Sequence, residues 1–322
     1  MNEALLSNQV IVFLLSEATL FMLLAVAFIV SLKVLLKWDF ESFTPFQFAL
    51  ERQAYLVSTI ILFVFLMKFI LVVYFIFSID ALSLLLPGAM CAAGVIKANI
   101  YGSYLLILKL FILFLLILWI YVHSYDMRTK NHQWFRKKSW LFSLIFVLII
   151  VELGLDFSYF SNIDTHMPVS CCSALFGQLE GANPLPFGLS VSLLLVLFYL
   201  LYILVILTIK SGYTILYILA NILFVFLSYY AVVYFFGTYV YQLPTHKCPF
   251  CMLQQEYYYV GYLLWGSLFM GTYIGLSDAV STLWLEKTDM RSKKIVMALL
   301  SVFVLLCTAY VAVYYLRNGV LL

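Results

Sequence analysis

Cysteine is the residue type in this sequence whose spacing most clearly could support chemistry. Five of the six cysteines fall in three short segments between apolar runs: Cys91, the adjacent pair Cys171 and Cys172, and the CPFC segment with Cys248 and Cys251. A CxxC pair can exchange a disulfide, contribute thiolates to a metal site, or form a disulfide that only braces a loop. These three interpretations stay open. Covalent c-type haem is excluded because no histidine follows the second cysteine.

Two of the histidines lie close to these cysteine segments, His166 before Cys171 and His246 before Cys248. Imidazole and thiolate ligands suit soft ions such as Cu(I) and zinc. The candidate metal-ligating set therefore consists of Cys91, Cys171, Cys172, Cys248, Cys251, His166 and His246. An imidazole or a cation beside Cys248 would also lower the pKa of its thiol and raise the fraction of nucleophilic thiolate.

The elements that must position these cysteines are membrane-spanning helices. Hydrophobic residues make up 66% of the chain and charged residues 10%, and the mean hydropathy is +1.08. Soluble domains carry about 25% charged residues, so a soluble globular protein, a nucleic-acid binder and a disordered chain are excluded. A spanning helix needs about 20 apolar residues. Eight runs qualify: 9–36, 55–79, 102–123, 139–161, 188–209, 213–238, 257–282 and 295–316. Because these runs are continuous rather than alternating, we predict an all-α polytopic membrane protein with eight transmembrane helices.

The distribution of basic residues predicts the orientation of these helices. With the N-terminus outside, most Lys and Arg residues fall on the inner side, among them the basic segment Arg128–Lys138, while Lys97, Lys247 and Arg317 lie outside. Basic residues are concentrated on the cytoplasmic side of membrane proteins. We therefore predict a multi-pass protein of the cell (inner) membrane with both termini extracytoplasmic. All three cysteine loops then lie on the outer, oxidising face.

The CPFC segment lies at the predicted outer start of the seventh helix, 257–282. A thiol in the first turn of a helix is near N–H groups without helical partners and the positive end of the helix dipole, which lowers its pKa. We therefore expect Cys248 to be the exposed attacking thiol and Cys251 to be buried in the bundle.

The sequence around these cysteines resembles sequences of known membrane thiol oxidoreductases. The stretch CPFCMLQQEYYYVGYLL is similar to the CxxC helix of proteins of the DsbB and vitamin K epoxide reductase (VKOR) types. The order of helix, cysteine loop, two helices and then CxxC matches the VKOR family, and the segment Val169–Phe176, VSCCSALF, is similar to that family's loop. The resemblance covers roughly residues 139–282.

This resemblance implies a fold, a cofactor and a partner. Helices four to seven would form a VKOR-like four-helix bundle. Cys248 would take electrons from the loop residue Cys171, and Cys251 would face a quinone, either ubiquinone or menaquinone. Because a disulfide between adjacent cysteines is strained, we expect Cys172 to pair with Cys91 instead. The electron donor would be an extracytoplasmic, thioredoxin-like thiol protein.

The resemblance also suggests residues near the quinone. Asn183 falls near a polar residue that contacts the quinone in the family, but its place in Gly-Ala-Asn-Pro is typical of a turn residue. Tyr257 and Tyr258 could contribute to an aromatic cavity, or could belong to an interfacial aromatic belt.

Two features depart from the family pattern. The family has an earlier loop cysteine, for which residues 160–167 offer no counterpart, and this chain has extra helices on both sides of the matching bundle. We accordingly predict three parts: three N-terminal helices with the Cys91 loop in 1–138, the VKOR-like bundle in 139–282, and a basic inner loop with the last helix in 283–322.

Five ionisable residues lie inside the predicted spans: Glu17, Lys68, Lys109, Glu152 and Asp156. Such residues are costly in a membrane and are candidates for function. Because both signs are present, they could form structural ion pairs between helices, or they could form a proton path.

The function that these observations favour is a membrane thiol–disulfide oxidoreductase that passes electrons through loop cysteines and the CxxC to a membrane quinone. The first alternative is a membrane protein that handles copper or zinc with its outer Cys and His residues. The second is a non-catalytic membrane subunit in which disulfides brace the loops.

Overall fold

A computed structural model describes residues 3–38, 44–129, 134–169, 185, 188–285 and 290–322. Within these ranges the regular structure is helical. The α-helices are α1 Asn8–Lys37, α2 Pro45–Leu82, α3 Ala92–Ile96, α4 Tyr101–Asp126, α5 Phe135–Ser161, α6 Val191–Ser211, α7 Thr214–Ala231, α8 Gly237–Tyr241, α9 Val260–Leu285 and α10 Met290–Asn318. A π-helical segment, Val232–Phe236, joins α7 to α8.

Seven segments of the described chain are long and apolar enough to cross a membrane. They are α1, α2, α4, α5, α6, the continuous stretch 214–241 and α10. The protein is therefore a multi-pass membrane protein, as its composition predicts. The remaining predicted span, the seventh at 257–282, corresponds to α9, which has 26 residues but is rich in glycine, serine and threonine. These residues lower its hydropathy, and its role as a span is not confirmed.

Local sequence signals explain several helix ends. The side chains of Ser7, Thr44 and Ser190 accept hydrogen bonds from the first turns of α1, α2 and α6, so each caps N–H groups that have no helical partner. Pro45 follows Thr44 at the first position of α2, where its missing N–H costs nothing. Gly212 ends α6 with φ +80, a conformation that suits glycine.

The chain divides into two compact units. The first consists of residues 1–87 and 95–168, and in it α1 packs against α2 and α5, and α4 packs against α5. Its core is aromatic, and the largest fully buried side chains include Phe13, Phe65, Phe75, Trp119 and Phe142.

The second unit consists of residues 88–94 and 169–322. In it α6 packs against α7, α7 against α9, and α9 against α10. Its core contains Phe198, Phe224, Phe236 and Phe303. The predicted bundle of the fourth to seventh helices is not confirmed. Its first member, the predicted span 139–161, is α5, and α5 belongs to the first unit.

Candidate functional site

Three cysteine sulfur atoms come together inside the second unit. The Sγ atoms of Cys91, Cys248 and Cys251 all lie within 4.8 Å of one another, and those of Cys91 and Cys248 are 3.6 Å apart. The three side chains are 0%, 2% and 5% exposed. A disulfide has an S–S distance of about 2.05 Å. The 3.6 Å separation is thus a contact between sulfur atoms that a two-electron oxidation and a small side-chain movement would convert into a disulfide.

The CPFC segment lies in irregular backbone after α8. Cys251 begins a short 3-10 turn, Cys251–Leu253, a second such turn covers Gln255–Tyr257, and α9 begins only at Val260. The expectation that CPFC opens the seventh long helix is therefore wrong. Neither cysteine of the CPFC segment therefore lies in the first turn of α9.

Two side chains hold this turn by its backbone. The Tyr241 hydroxyl, at the end of α8, donates to the carbonyl oxygen of Cys248 and accepts from the N–H of Met252 at 3.1 Å. The indole N–H of Trp265, on α9, donates to the carbonyl oxygen of Pro249 at 3.0 Å. The ends of two helices thus fix the positions of both CxxC cysteines.

The loop that carries Cys91 is shaped by a glycine and tied to the CPFC turn. Gly88 has φ +81, and a Cβ there would lie 2.6 Å from the carbonyl oxygen of Val169, so only glycine fits. The side-chain amide of Gln254 donates to the carbonyl oxygen of Met90 at 3.3 Å. Cys91 is thereby held against Cys248.

The burial of the two CxxC cysteines confirms one half of the expectation for them and contradicts the other half. Cys251 is buried, as predicted, but the prediction that Cys248 is exposed is wrong. The hydrogen bond from the Tyr241 hydroxyl holds the Cys248 backbone against the end of α8, and both cysteines belong to the apolar core of the second unit. In this arrangement Cys248 faces Cys91 rather than solvent.

Aromatic side chains surround one flank of the thiols. The ring of Tyr241 lies 4.1 Å from that of His246 and 4.8 Å from that of Tyr257. Burial raises the pKa of Tyr257, and negative charge on Cys251 raises it further, so its phenol is neutral near pH 7. Tyr257 packs against the core that holds the cysteines. Tyr258 is 91% exposed, so the structure brings only the first of these two tyrosines to the thiols.

Three predicted site residues, Cys171, Cys172 and Asn183, lie outside the described residues. The predicted pairs of Cys171 with Cys248 and of Cys172 with Cys91 therefore stay predictions. The contact between Cys91 and Cys248 was not among the pairs that the sequence suggested.

The two histidines of the candidate metal set have different positions. His246 lies beside Tyr241 in the second unit, while His166 belongs to the first unit, where its backbone N–H donates to Asp164. Of the candidate metal set, the ligand atoms that lie within 4.8 Å of one another among the described residues are those of the three cysteines.

The first unit contains a separate buried cluster of charges. Lys68 Nζ lies 2.9 Å from Glu17 and 2.7 Å from Glu152, and Lys109 Nζ lies 2.8 Å from Glu152 and 2.9 Å from Asp156. These distances confirm that the charged residues of the predicted spans pair with one another.

Comparisons of the chain with protein-family models, with curated proteins and with solved structures found no match. The VKOR-like resemblance therefore stays a prediction that depends on the motifs described above.

Proposed function

We propose that this protein is a membrane thiol–disulfide oxidoreductase whose buried thiols deliver electrons to a membrane quinone. The observation that carries this proposal is the position of Cys248, whose sulfur lies 3.6 Å from that of Cys91 and within 4.8 Å of that of Cys251. A sulfur with two thiol neighbours can form a disulfide with either one. Such an exchange is the elementary step of a thiol relay.

The relay balances in atoms and electrons. In the oxidised protein, the Cys91 thiolate attacks Cys248 of a Cys248–Cys251 disulfide, which forms the Cys91–Cys248 bond and releases the Cys251 thiolate. A dithiol substrate, acting through the outer loop thiols Cys171 and Cys172, then supplies the two electrons and two protons that reduce the Cys91–Cys248 bond, and it leaves as a disulfide. Finally, the Cys248 and Cys251 thiols pass two electrons and two protons to a quinone, which becomes a quinol while their disulfide forms again.

The outer loop thiols supply the link to the substrate. Because Cys91 is 0% exposed, a partner protein cannot attack it directly. Cys171 and Cys172 are the further thiols of the predicted outer face, and we assign them the exchange with an extracytoplasmic, thioredoxin-like thiol protein. Tyr257, neutral and packed beside the thiols, is suited to contact a quinone ring.

The proposed topology places all of this chemistry on one side of the cell membrane. We count α9 as a span in addition to the seven candidates, which gives eight. Its 26 residues at 1.5 Å each have a length of about 39 Å. It also packs against α7 and α10, which both belong to candidate spans. Eight spans put both termini outside together with the three cysteine loops, in agreement with the distribution of basic residues.

The test is quinone-dependent thiol oxidation by the purified full chain in lipid nanodiscs. The reduced protein is mixed anaerobically with a short-chain ubiquinone or menaquinone, and the remaining thiols are counted after alkylation and mass spectrometry. We expect the wild type to lose two thiols for each quinone that it reduces. Cys248→Ser should abolish this reaction, whereas Cys307→Ser, which changes a buried thiol of α10 outside the cluster, should leave it intact. No thiol loss in the wild type would refute the proposal.

A second candidate function is the binding of a soft metal ion, favoured by the convergence of three thiols. Three sulfurs bound at about 2.3 Å to one ion in a plane lie about 4 Å apart, which is close to the spacing here. Thiolate ligands select Cu(I), while structural zinc sites use four ligands. Elemental analysis that finds one metal ion per wild-type chain and none in Cys248→Ser, together with no quinone reduction, would favour metal binding over the relay.

A further inference from the structure

The buried charges of the first unit take no part in the thiol relay, and their burial needs its own explanation. Glu17 lies on α1, Lys68 on α2, Lys109 on α4, and Glu152 and Asp156 on α5. All five side chains are at most 2% exposed. Four helices of an apolar bundle thus direct an ionisable group to the same place.

The charges of this cluster do not cancel. Three carboxylates face two ammonium groups, so the fully ionised cluster has a net charge of −1. An uncompensated charge is strongly disfavoured in a low-dielectric interior, where a group usually changes its protonation state instead. One bound proton makes the cluster neutral.

We propose that this cluster is a proton-binding site and that its one exchangeable proton resides on Asp156. Both oxygens of Glu17 accept from Lys68, and the two oxygens of Glu152 accept from Lys68 and Lys109. Asp156 differs from them. Its Oδ2 accepts from Lys109 at 2.9 Å, but its buried Oδ1 has no hydrogen-bond partner among the described residues. A buried carboxylate oxygen without a donor is the one whose protonation costs least.

The surroundings of Asp156 support a proton rather than a metal ion. Lys109 on α4 contacts it directly, Glu17 on α1 and Glu152 on its own helix lie within the same group of carboxylates, and Lys68 on α2 binds both glutamates. The two ammonium groups already occupy the positions between the carboxylates. A metal ion there would be repelled by both, whereas a proton removes the excess charge without displacing either.

The position of Asp156 in its helix favours exchange of the proton with one side of the membrane. Asp156 is five residues before the end of α5 at Ser161, about 7.5 Å along the axis, while Lys68 is fourteen residues before the end of α2 at Leu82, about 21 Å. Of these two members, Asp156 is the one nearer to the membrane surface that the orientation prediction assigns to the outside. Proton exchange therefore takes place from that side.

The test is infrared spectroscopy of the full chain in lipid nanodiscs at neutral pH. A protonated carboxyl group has a carbonyl stretching band that a carboxylate lacks, and this band shifts in D2O. We expect the wild type to have this band and Asp156→Asn to lose it. Asp164→Asn, the same change at an exposed aspartate, should retain it.

Isotope labelling keeps the test independent of whether the variant folds. In the wild type, 13C-aspartate should shift the band and 13C-glutamate should not. No band, a band that persists in Asp156→Asn, or a band that shifts with labelled glutamate would each overturn the proposal. A thermal unfolding temperature that rises with sodium chloride but not with choline chloride, without the band, would identify a metal-ion site instead. None of these results bears on the thiol relay, which uses other residues.

Discussion

Cys248 is the cysteine that both contacts Cys91 at 3.6 Å and shares the CxxC with Cys251, and each cysteine is therefore expected to behave differently when it is replaced. Cys251 is its partner within the CxxC, and Cys91 is its partner across 157 positions of sequence. The assignment of roles at the residue scale follows from these distances.

Replacing Cys251 with serine should direct Cys248 to Cys91. Mild oxidation of Cys251→Ser is expected to form the Cys91–Cys248 disulfide, because these sulfurs are already 3.6 Å apart. Cys91→Ser should form the Cys248–Cys251 disulfide instead. Non-reducing peptide mapping by mass spectrometry identifies each bond, with Cys307→Ser as a control. If Cys251→Ser linked Cys248 only to Cys171, the pairing implied by the family resemblance would be correct and ours would not.

The Tyr241 hydroxyl should matter for both stability and rate. Tyr241→Phe removes the group that binds the Cys248 carbonyl and the Met252 N–H and leaves both without that partner in a buried site. We expect a loss of about 1–3 kcal/mol in the free energy of unfolding and slower quinone-dependent oxidation. Tyr199→Phe, which breaks a more exposed hydrogen bond to Thr308, is the matched control and should cost less. Equal effects of the two variants in a denaturant titration would argue against a special role for Tyr241.

At the scale of elements, the thiol site is built from short and irregular pieces held between long helices. The π-helical segment Val232–Phe236 directs α8 and its terminal Tyr241 toward the CPFC turn, and π-helical insertions of this kind often occur at functional sites. The turn itself is 3-10 helical, and α9 supplies Trp265. The precision of the site therefore depends on how closely α7 and α9 pack.

Among the glycines of α9, Gly275 is the one whose added Cβ would meet α7. A Cβ at Gly275 would lie 2.0 Å from the Tyr217 hydroxyl and 2.9 Å from the Asn221 amide of α7. Gly275→Ala should therefore push the helices apart and cost about 1–3 kcal/mol. Gly266→Ala, on the same helix but with nothing within 4 Å of its Cβ, should stabilise by up to about 1 kcal/mol. Thermal unfolding in detergent tests both, and a neutral Gly275→Ala would mean that α7 and α9 adapt to the added methyl group.

At the scale of the whole molecule, the chain has two compact helical units, each with its own buried polar feature. One unit contains the paired charges and the other the three thiols. The thiol function requires the cysteine loops on the oxidising side of the membrane, so the number of spans has a direct functional consequence.

A reporter fused after Leu322 can decide that number. With eight spans the C-terminus lies outside with the N-terminus. Alkaline phosphatase fused there should be active, because it needs an oxidising compartment. Green fluorescent protein fused there should not fluoresce, because it does not fold after export in an unfolded state. The same pair of reporters fused after Ser211, at the end of α6, should show the opposite pattern. A fluorescent C-terminal fusion would mean that α9 does not cross the membrane.

The sequence alone determined the features that depend on local composition. The helix bounds agree with the apolar runs to within a few residues at most ends because a spanning helix must bury about 20 consecutive apolar residues. The exception is the start of α2, which lies at Pro45, about ten residues before the predicted run 55–79. The pairing of the buried charges was one of the two alternatives that the sequence left open, since opposite charges in an apolar bundle stabilise one another.

Only the tertiary structure decided the arrangement of the thiols. Cys91 and Cys248 are 157 positions apart, and no periodic pattern in the sequence encodes their contact. The burial of Cys248 and the late start of α9 depend on hydrogen bonds from Tyr241 and Trp265 to backbone groups, which any tyrosine or tryptophan could make. Which helices form each compact unit depends likewise on side-chain packing between distant segments, because hydropathy specifies that a helix lies in the membrane but not which neighbour it contacts.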